Sequence, residues 1–581
     1  MASIQAKMHN GRKYWCIVES MRINGKPRAK VIEYLGTADS LLRRLQNKEV
    51  QHKVKSVSHG CVAALLMLAQ KLDVVSIINK HTHSQREYWT DQPLRNNLTA
   101  GITLLLASIG RICEPTSKRG WHIWAQKTSC EHMLRISLAQ LDSQHFWDLM
   151  DCIPDENIEE IELEILRNTL KYYPLKEGTL LYDTTNFFTF INSTNDRCEI
   201  AQRGKNKQKR TDLRQVGLAL VVTQENYMPL IHKTYAGNMS DCKVFAKIIA
   251  SIKERLEKLG IDISLHTIIF DRGCNSKKNL RIVKRLKLHY VGALTPAHHK
   301  DLIKAADGKF VKVQVGELEL GVYREKRAIW GEERTVLVFI SEKLKDGQLR
   351  GIYQSLEKKK GLLRKIQRAL ANPGAKKRSR EYLGKRIEKI LGGQFMEELI
   401  DYKLTELKEG HWSLTYSTNK KKFLELEDKI GFRIVMTDRH DWESGKIIES
   451  YYGQATVEGA FKNIKNPYHL AFTPEFHWTD HKIKIHYFTC ILGYLLSTLI
   501  WHEARKVGFG GTLDNLLDSL NDIRLSRQIK MDDKQGKPKV SYQVEEMSEE
   551  QEVLFKALDL SDTHLKPLKI EGVGEYKQAC S

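Results

Sequence analysis

Between residues 178 and 300 the chain reads strand, strand, strand, helix, strand, helix, and an Asp closes two of the apolar runs. Thr179-Leu180-Leu181-Tyr182-Asp183, Val216 to Val222 and Pro229 to Lys233 have strand composition. Ser240 stands where an N-cap is needed for a helix from Val244 to Leu259. His266 to Asp271 is the fourth strand, and a helix starts near Ser276. Ile268-Ile269-Phe270 is the continuous apolar run that a central strand buried on both faces requires. The order restricts this region to an α/β fold with Asp183 and Asp271 at strand ends. Asp next to a helix start also serves as a plain cap, so neither Asp is diagnostic alone.

A third carboxylate, Glu458, lies in an amphipathic run from Tyr451 to Lys465 that Pro467 terminates. On a continuous helix at 100° per residue, Tyr451, Gln454, Glu458 and Lys465 fall within about 60° of one another. Val457, Ala460, Phe461 and Ile464 form the adjoining apolar face. Such a helix packs one side on a sheet and presents a phenol, an amide, a carboxylate and an ammonium on the other. Three carboxylates from two strands and a helix, if they converge in space, could form an oxygen cage for two divalent cations, the arrangement that clamps both oxygens of a phosphodiester exchange.

The remaining pattern divides the chain. Residues 1–50 read as a β-hairpin region, with Lys13 to Val18 and Lys30 to Tyr34 as strands and Asn24-Gly25 as the turn. Residues 51–175 are helical, with apolar helix cores at Ala63 to Ala69 and Thr103 to Ala107, and read as a DNA-binding region. Residues 176–305 have the element order of an RNase H-like core, first part. Residues 306–405 read as an insertion: strands at Phe310 to Val315 and Arg334 to Ile340, then basic helices. Residues 406–510, with strands at Trp412 to Tyr416 and Phe432 to Met436, are the second part of the core. Residues 511–581 form a mixed, polar C-terminal region with one helix near 548–558.

Charge points to a polyanionic partner. The 581 residues carry a formal net charge of +22, and cation release from DNA favours such a chain. Residues 341–390 hold sixteen Lys or Arg against five Asp or Glu, half of that excess. A phosphate-tracking surface including Lys358, Lys359 and Lys360 is expected there, a solvated helical face being the alternative. Ten cysteines without a Cys-x-x-Cys pair argue against a zinc ribbon or a disulfide scaffold and fit a reducing cytoplasm. Residues 1–10 lack the apolar stretch of a signal peptide. The apolar run Tyr487 to Trp501 is shorter than the roughly 20 residues a bilayer needs and reads as a buried helix.

Taken together, the motifs resemble those of bacterial insertion-sequence transposases of the Asp-Asp-Glu class. The likeness is to the subgroup with a Tyr-x2-Arg-x3-Glu-x6-Lys motif and a β-rich insertion in an RNase H-like core. Tyr451, Glu458 and Lys465 match that spacing, whereas Gln454 stands where the family has Arg. Tyr182-Asp183-Thr184-Thr185 and Phe270-Asp271-Arg272-Gly273 match the first two motifs, and Arg203-Gly204-Lys205 and Gly237-Asn238-Met239-Ser240-Asp241 also resemble family segments. The separation of 187 positions between Asp271 and Glu458 leaves room for the insertion.

The resemblance implies metal-dependent cleavage at the element's ends and strand transfer into target DNA. Asp183, Asp271 and Glu458 would be the catalytic and metal-holding residues, with two Mg²⁺ ions or Mn²⁺ in their place. Tyr451, Gln454, Lys465 and Arg272 would contact DNA, and Trp330 would stack a displaced base unless it merely packs in a strand. A homodimer in a synaptic complex and a bacterial, nucleoid-associated location without a membrane follow from the same likeness. The alternatives are an RNase H-like nuclease that cuts without joining, and a catalytically silent, domesticated DNA-binding protein.

Smaller signals carry less. His81-Thr82-His83 and His298-His299 lack a third ligand at zinc spacing. Gly508-Phe509-Gly510-Gly511 lacks the Lys-Ser/Thr of a phosphate loop. Arg203, Lys205, Lys207, Lys209, Arg210 and Arg214 form a basic run suited equally to DNA backbone or solvent.

Overall fold

The computed structural model describes residues 2–9, 12–23, 26–46, 53–82, 94–175, 178–206, 208–473, 475–531, 538–565 and 570–573. Asn24-Gly25, His83 and Lys207 lie outside the described residues. The chain is mixed α/β and divides into two compact units, one of residues 1–288 with 453–581 and one of residues 289–452.

In the first unit, four strands lie in the order Pro229–Ala236, Arg214–Thr223, Gly178–Thr189, His266–Phe270. Each of the first three is antiparallel to its neighbour, and His266–Phe270 runs parallel to Gly178–Thr189. The apolar runs explain the layering. Leu180, Leu181, Tyr182, Ile268, Ile269 and Phe270 are all buried, as a strand covered on both faces demands. The helix Asp241–Lys258 packs Phe245 against both Tyr182 and Phe270, with ring centroids 5.2 and 4.6 Å apart. Ser240 holds its N-cap position, but its side chain makes no capping bond. Strand Gly178–Thr189 is longer than the sequence pattern indicated, so Asp183 sits within it rather than at its end.

A 27-residue helix, Asp480–Lys506, runs through this unit. It is long and apolar enough to cross a membrane, but 94% of its most apolar window is buried inside the protein. Thr489 and Ser497 turn their hydroxyls back onto the carbonyls of Ile485 and Gly493, each at 2.8 Å, which hides their polarity in the core. This is the buried helix expected around Tyr487 to Trp501.

The N-terminal hairpin is a three-stranded meander, because Ala2–His9 adds a strand to Arg12–Ile23 and Lys26–Gly36. The C-terminal region is more ordered than its polar composition indicated. Beyond the helix Glu549–Ala557, it forms a helix Leu513–Asp522 and strands Arg524–Met531 and Pro538–Val544. The first of these strands pairs antiparallel with Lys53–Ser58 near the other end of the chain. Pairing at such separation leaves no local signal.

The second unit holds five strands in the order Val311–Val315, Leu318–Ile329, Glu332–Ile340, Phe432–Thr437, His289–Leu294, each antiparallel to its neighbour. Leu318–Ile329 escaped the sequence pattern because Arg324, Glu325, Lys326 and Arg327 follow one another and put charge on both faces, which masks the period of two. The basic helices Glu342–Ala371 and Arg380–Leu391 pack Ile352, Leu356, Leu363, Ile366 and Ile387 against Ile400 and Leu414 of a hairpin, Ile400–Lys408 with His411–Thr418.

One buried ion network ties the helical region to the first unit's sheet. Glu162, on helix Ile158–Tyr172, meets Arg255 Nη2 at 2.9 Å and also pairs with His232 of strand Pro229–Ala236. Burial raises the Glu162 carboxyl's pKa, yet His232 and Arg255 outweigh it and hold the carboxyl below its ordinary value. Glu162→Ala would strand a buried guanidinium and is expected to cost about 3–5 kcal/mol in urea unfolding. Because the folded carboxyl is depressed, this stabilisation is complete above the ordinary Glu range and fades as pH falls through the folded value. A wild-type to Glu162→Gln stability gap that stays constant from neutral to acid pH would remove the charge from this account.

Candidate active site

Asp183 and Asp271 come together through strand register. The parallel pair matches Phe270 with Tyr182, so the next residue on each side is an aspartate. Asp183 is half-buried and Asp271 exposed. Each carboxylate turns one oxygen onto a neighbouring backbone N–H. Thr184 N donates to Asp183 Oδ1 at 2.7 Å, and Arg272 N donates to Asp271 Oδ1 at 2.6 Å.

A further carboxylate, Asp241, joins them. The Thr184 hydroxyl donates to Asp241 Oδ1 at 2.8 Å. The buried Cys274 thiol senses all three: burial pushes its pKa up, and Asp241, Asp183 and Asp271 push it further. Tyr182 is raised likewise by burial, then by Cys274, Tyr235, Asp183 and Asp241. The sequence marked Asp241 only as part of a motif. Its convergence with Asp183 depends on the loop that starts helix Asp241–Lys258, which is tightly packed: a Cβ on Gly237 would sit 1.9 Å from Gln215 O. Gln215 Nε2 donates to Gly237 O at 2.7 Å and to Lys205 O at 3.3 Å, so the two family-like segments at 203–205 and 237–241 meet on one side chain.

Asn279 clamps the site from behind and carried no sequence signal. Only 1% exposed, it sits in helix Lys277–Arg285, which Ser276 caps by accepting from Asn279 N at 3.1 Å. Its amide donates to Cys274 O at 2.8 Å and to Cys242 O at 3.2 Å. One side chain therefore holds both the turn after Asp271 and the start of the Asp241 helix.

Glu458 is exposed on helix Gln454–Ile464, whose buried Val457, Ala460, Phe461 and Ile464 face the sheet. Two anchors set this helix along strand Gly178–Thr189. Gly453 lies against Gln224, whose N–H donates to Thr179 O at 3.2 Å. At the other end Lys465 donates to the Thr185 hydroxyl and sits 5.2 Å over the Phe187 ring. Glu458 stands between the anchors, as Asp183 stands between Thr179 and Thr185. The side chains are not drawn into a cage: among the described residues no three His, Cys, Asp or Glu side chains are close enough to hold one ion.

The continuous helix expected from Tyr451 to Lys465 is broken. One helix ends at Tyr452, Gly453 intervenes, and the next begins at Gln454. Tyr451 therefore does not share a face with Glu458. It is buried in the second unit, where its hydroxyl accepts from Arg433 Nη1 at 3.2 Å and the guanidinium lies 5.8 Å over its ring. Gln454 opens the glutamate helix and is half-buried. Arg272 is exposed beside Asp271.

Other expected contact residues are dispersed. Trp330 forms the turn of a hairpin with Gly331, both at positive φ (53° and 87°), and not a strand face. A two-residue turn of this hand suits the strand twist, and a bulky residue there is unusual. Lys358 is exposed, but Lys359 donates to Gly392 O at 2.8 Å and Lys360 pairs with Glu357 at 3.2 Å. In the basic loop, Arg210 pairs with Asp212 at 2.6 Å, and Arg203 and Arg214 bond Ser193.

Residues 3–58 match the family described as IS1634 family transposase, N-terminal domain. No curated protein matches the chain in sequence. Among solved structures, a piggyBac transposase synaptic complex with hairpin DNA is similar at 8% identity over 79% of each chain, with a TM-score of 0.38. The N-terminal match supports an insertion-sequence transposase.

Asn279→Leu keeps the branched shape of the side chain but removes the donor to the buried Cys274 carbonyl and to the partly buried Cys242 carbonyl. It is expected to lower stability by about 1–3 kcal/mol in urea unfolding. Lys277→Ala on the exposed side of the same helix should stay within about 0.5 kcal/mol of wild type. Equal midpoints for the two variants would dismiss the clamp.

Proposed function

We propose that this chain is a DNA transposase of the Asp-Asp-Glu class, with an RNase H-like core, which cuts phosphodiesters at insertion-sequence ends and transfers the freed strand to target DNA. The observation that carries the reading is the parallel register that aligns Asp183 with Asp271 beside the helix bearing Glu458. The strand order, three antiparallel strands followed by a parallel fourth, agrees with such a core.

The donor set suits a hard cation, because Asp183, Asp271 and Glu458 offer only carboxylate oxygens. Mg²⁺ at these residues would supply Lewis-acid activation of water and of the leaving oxygen. The chain's own groups do the rest. Strand pairing holds the Asp183 backbone rigid, and the Thr184 and Arg272 N–H groups orient the two Asp carboxylates. Lys465, exposed at the end of its helix, offers a point charge to a phosphate near Thr185. The excess positive charge favours DNA whatever its sequence, and a homodimer bringing two ends together fits cleavage at paired ends.

Asp183→Asn, Asp271→Asn and Glu458→Gln should each reduce Mg²⁺-dependent cleavage of end-containing DNA by at least about a hundredfold, since several kcal/mol of transition-state stabilisation are lost. DNA binding should be retained. Any one variant cutting at wild-type rate would dismiss that residue, and cleavage without joining in the wild type would favour a nuclease. On the basic helix, Lys358→Gln should lower the log–log salt slope of DNA binding by about 0.9 if it touches a phosphate. An unchanged slope would return Lys358 to solvent.

A further inference from the structure

We propose that a cavity beyond the end of strand Gly178–Thr189 is a stacking site for an unpaired nucleobase. The proposal rests on the DNA-processing reading above and names a contact that reading does not contain. The cavity has a volume of about 490 Å³ and lies between residues 190–197 and the segment 475–478. Three of its lining side chains are aromatic and open to solvent: Phe190 is 76% exposed, Phe476 64% and Trp478 47%. Large apolar rings left in water around one concavity mark a surface suited to an apolar-faced ligand.

The two walls are pinned to each other. Asn195 Nδ2 donates to Trp478 O at 3.3 Å, and Asp480 Oδ1 accepts from Glu199 N and Ile200 N at 2.8 and 3.1 Å. Trp478 is backed by Trp147, with centroids 4.9 Å apart. The rings therefore stand ready without a folding step, which favours binding.

Charge selects the occupant. Arg197 lines the cavity and is exposed. Arg203 bonds Ser193 Oγ at 2.9 Å, and Arg214 bonds Ser193 O and Asn195 O at 2.8 and 3.0 Å, so two more guanidinium groups are fixed on the same loop. Glu475, the other acidic lining residue besides Asp196, is buried, and burial pushes its carboxyl up to about 8 against the opposing pull of Lys118 and Arg111, so burial disfavours its negative charge. Aromatic faces rimmed by arginines match a base with its phosphates, since every base offers a π-face and the backbone offers the anion. Position agrees as well. Phe190 follows Asp183 by seven residues on or just past one strand, so the two are at most about 23 Å apart. That is about seven steps of a DNA strand, so a strand lying over the aspartates reaches the cavity.

The test is binding of the full chain, without divalent cation, to three probes: a single dT strand of roughly 16 nucleotides, an abasic strand of the same length, and a duplex. In the Phe190→Ala/Phe476→Ala double variant, affinity for the dT strand should fall roughly five- to a hundredfold, with duplex and abasic affinities within about twofold of wild type. Both side chains are exposed, so their removal leaves the core intact. Trp478→Leu, singly, should weaken the dT strand in the same sense. Retained dT affinity would overturn the proposal and assign the rings to a protein partner. Equal loss on all three probes would overturn it too, since bases would then be irrelevant. Because no cation is present, this outcome is independent of cleavage, and failure of the carboxylate variants to abolish cutting would be a separate result.

Discussion

The register between Gly178–Thr189 and His266–Phe270 is the constraint on which the site depends. Side-chain direction alternates along a strand, so a slip of one residue would turn Asp183 toward the opposite face. Three things hold the register: antiparallel pairing of Gly178–Thr189 to Arg214–Thr223 on its other edge, the buried pair Leu181 and Ile269, and Phe245 wedged against both Tyr182 and Phe270. The carboxylates are the polar continuation of two apolar runs whose burial fixes where they emerge.

Around that register, polar groups are used sparingly and with their partners close by. Asn279 bonds two backbone carbonyls, one on each side of the site. Glu162 neutralises a buried Arg255 where the helical region meets the sheet. Both are costly if broken, because a buried donor or charge left alone retains its desolvation penalty. The long central helix shows the same economy, returning its hydroxyls to its own backbone.

The second unit shows why a basic segment is not by itself a binding surface. Its helices present lysines and arginines outward only because an apolar stripe faces a hairpin core. Of three consecutive lysines, one binds a carbonyl at the end of helix Arg380–Leu391 and another pairs within its own helix. Charge counts in a sequence measure supply, whereas geometry decides how much of it stays free of partners within the protein.

Much of this was legible in the residues themselves. Apolar runs and their periods marked the four strands, the helices between them and the buried helix around Tyr487 to Trp501, because burial of near neighbours is a local property. Residue type marked Asp183, Asp271 and Glu458. Local patterns did not carry the strand Leu318–Ile329, where four consecutive charged residues occupy both faces, or the sheet joining Lys53–Ser58 to Arg524–Met531. The helical wheel from Tyr451 to Lys465 failed for the same reason: it assumed continuity, and Gly453 against Gln224 interrupts it. What the sequence determined alone was the kinds of elements, their order and the chemistry at their ends. Only the tertiary structure decided that Asp241 joins Asp183, that Asn279 clamps both loops, and that Phe190 meets Trp478 across a cavity. Those pairings join residues far apart in the chain, and they are set by register and packing rather than by any periodicity a single segment can carry.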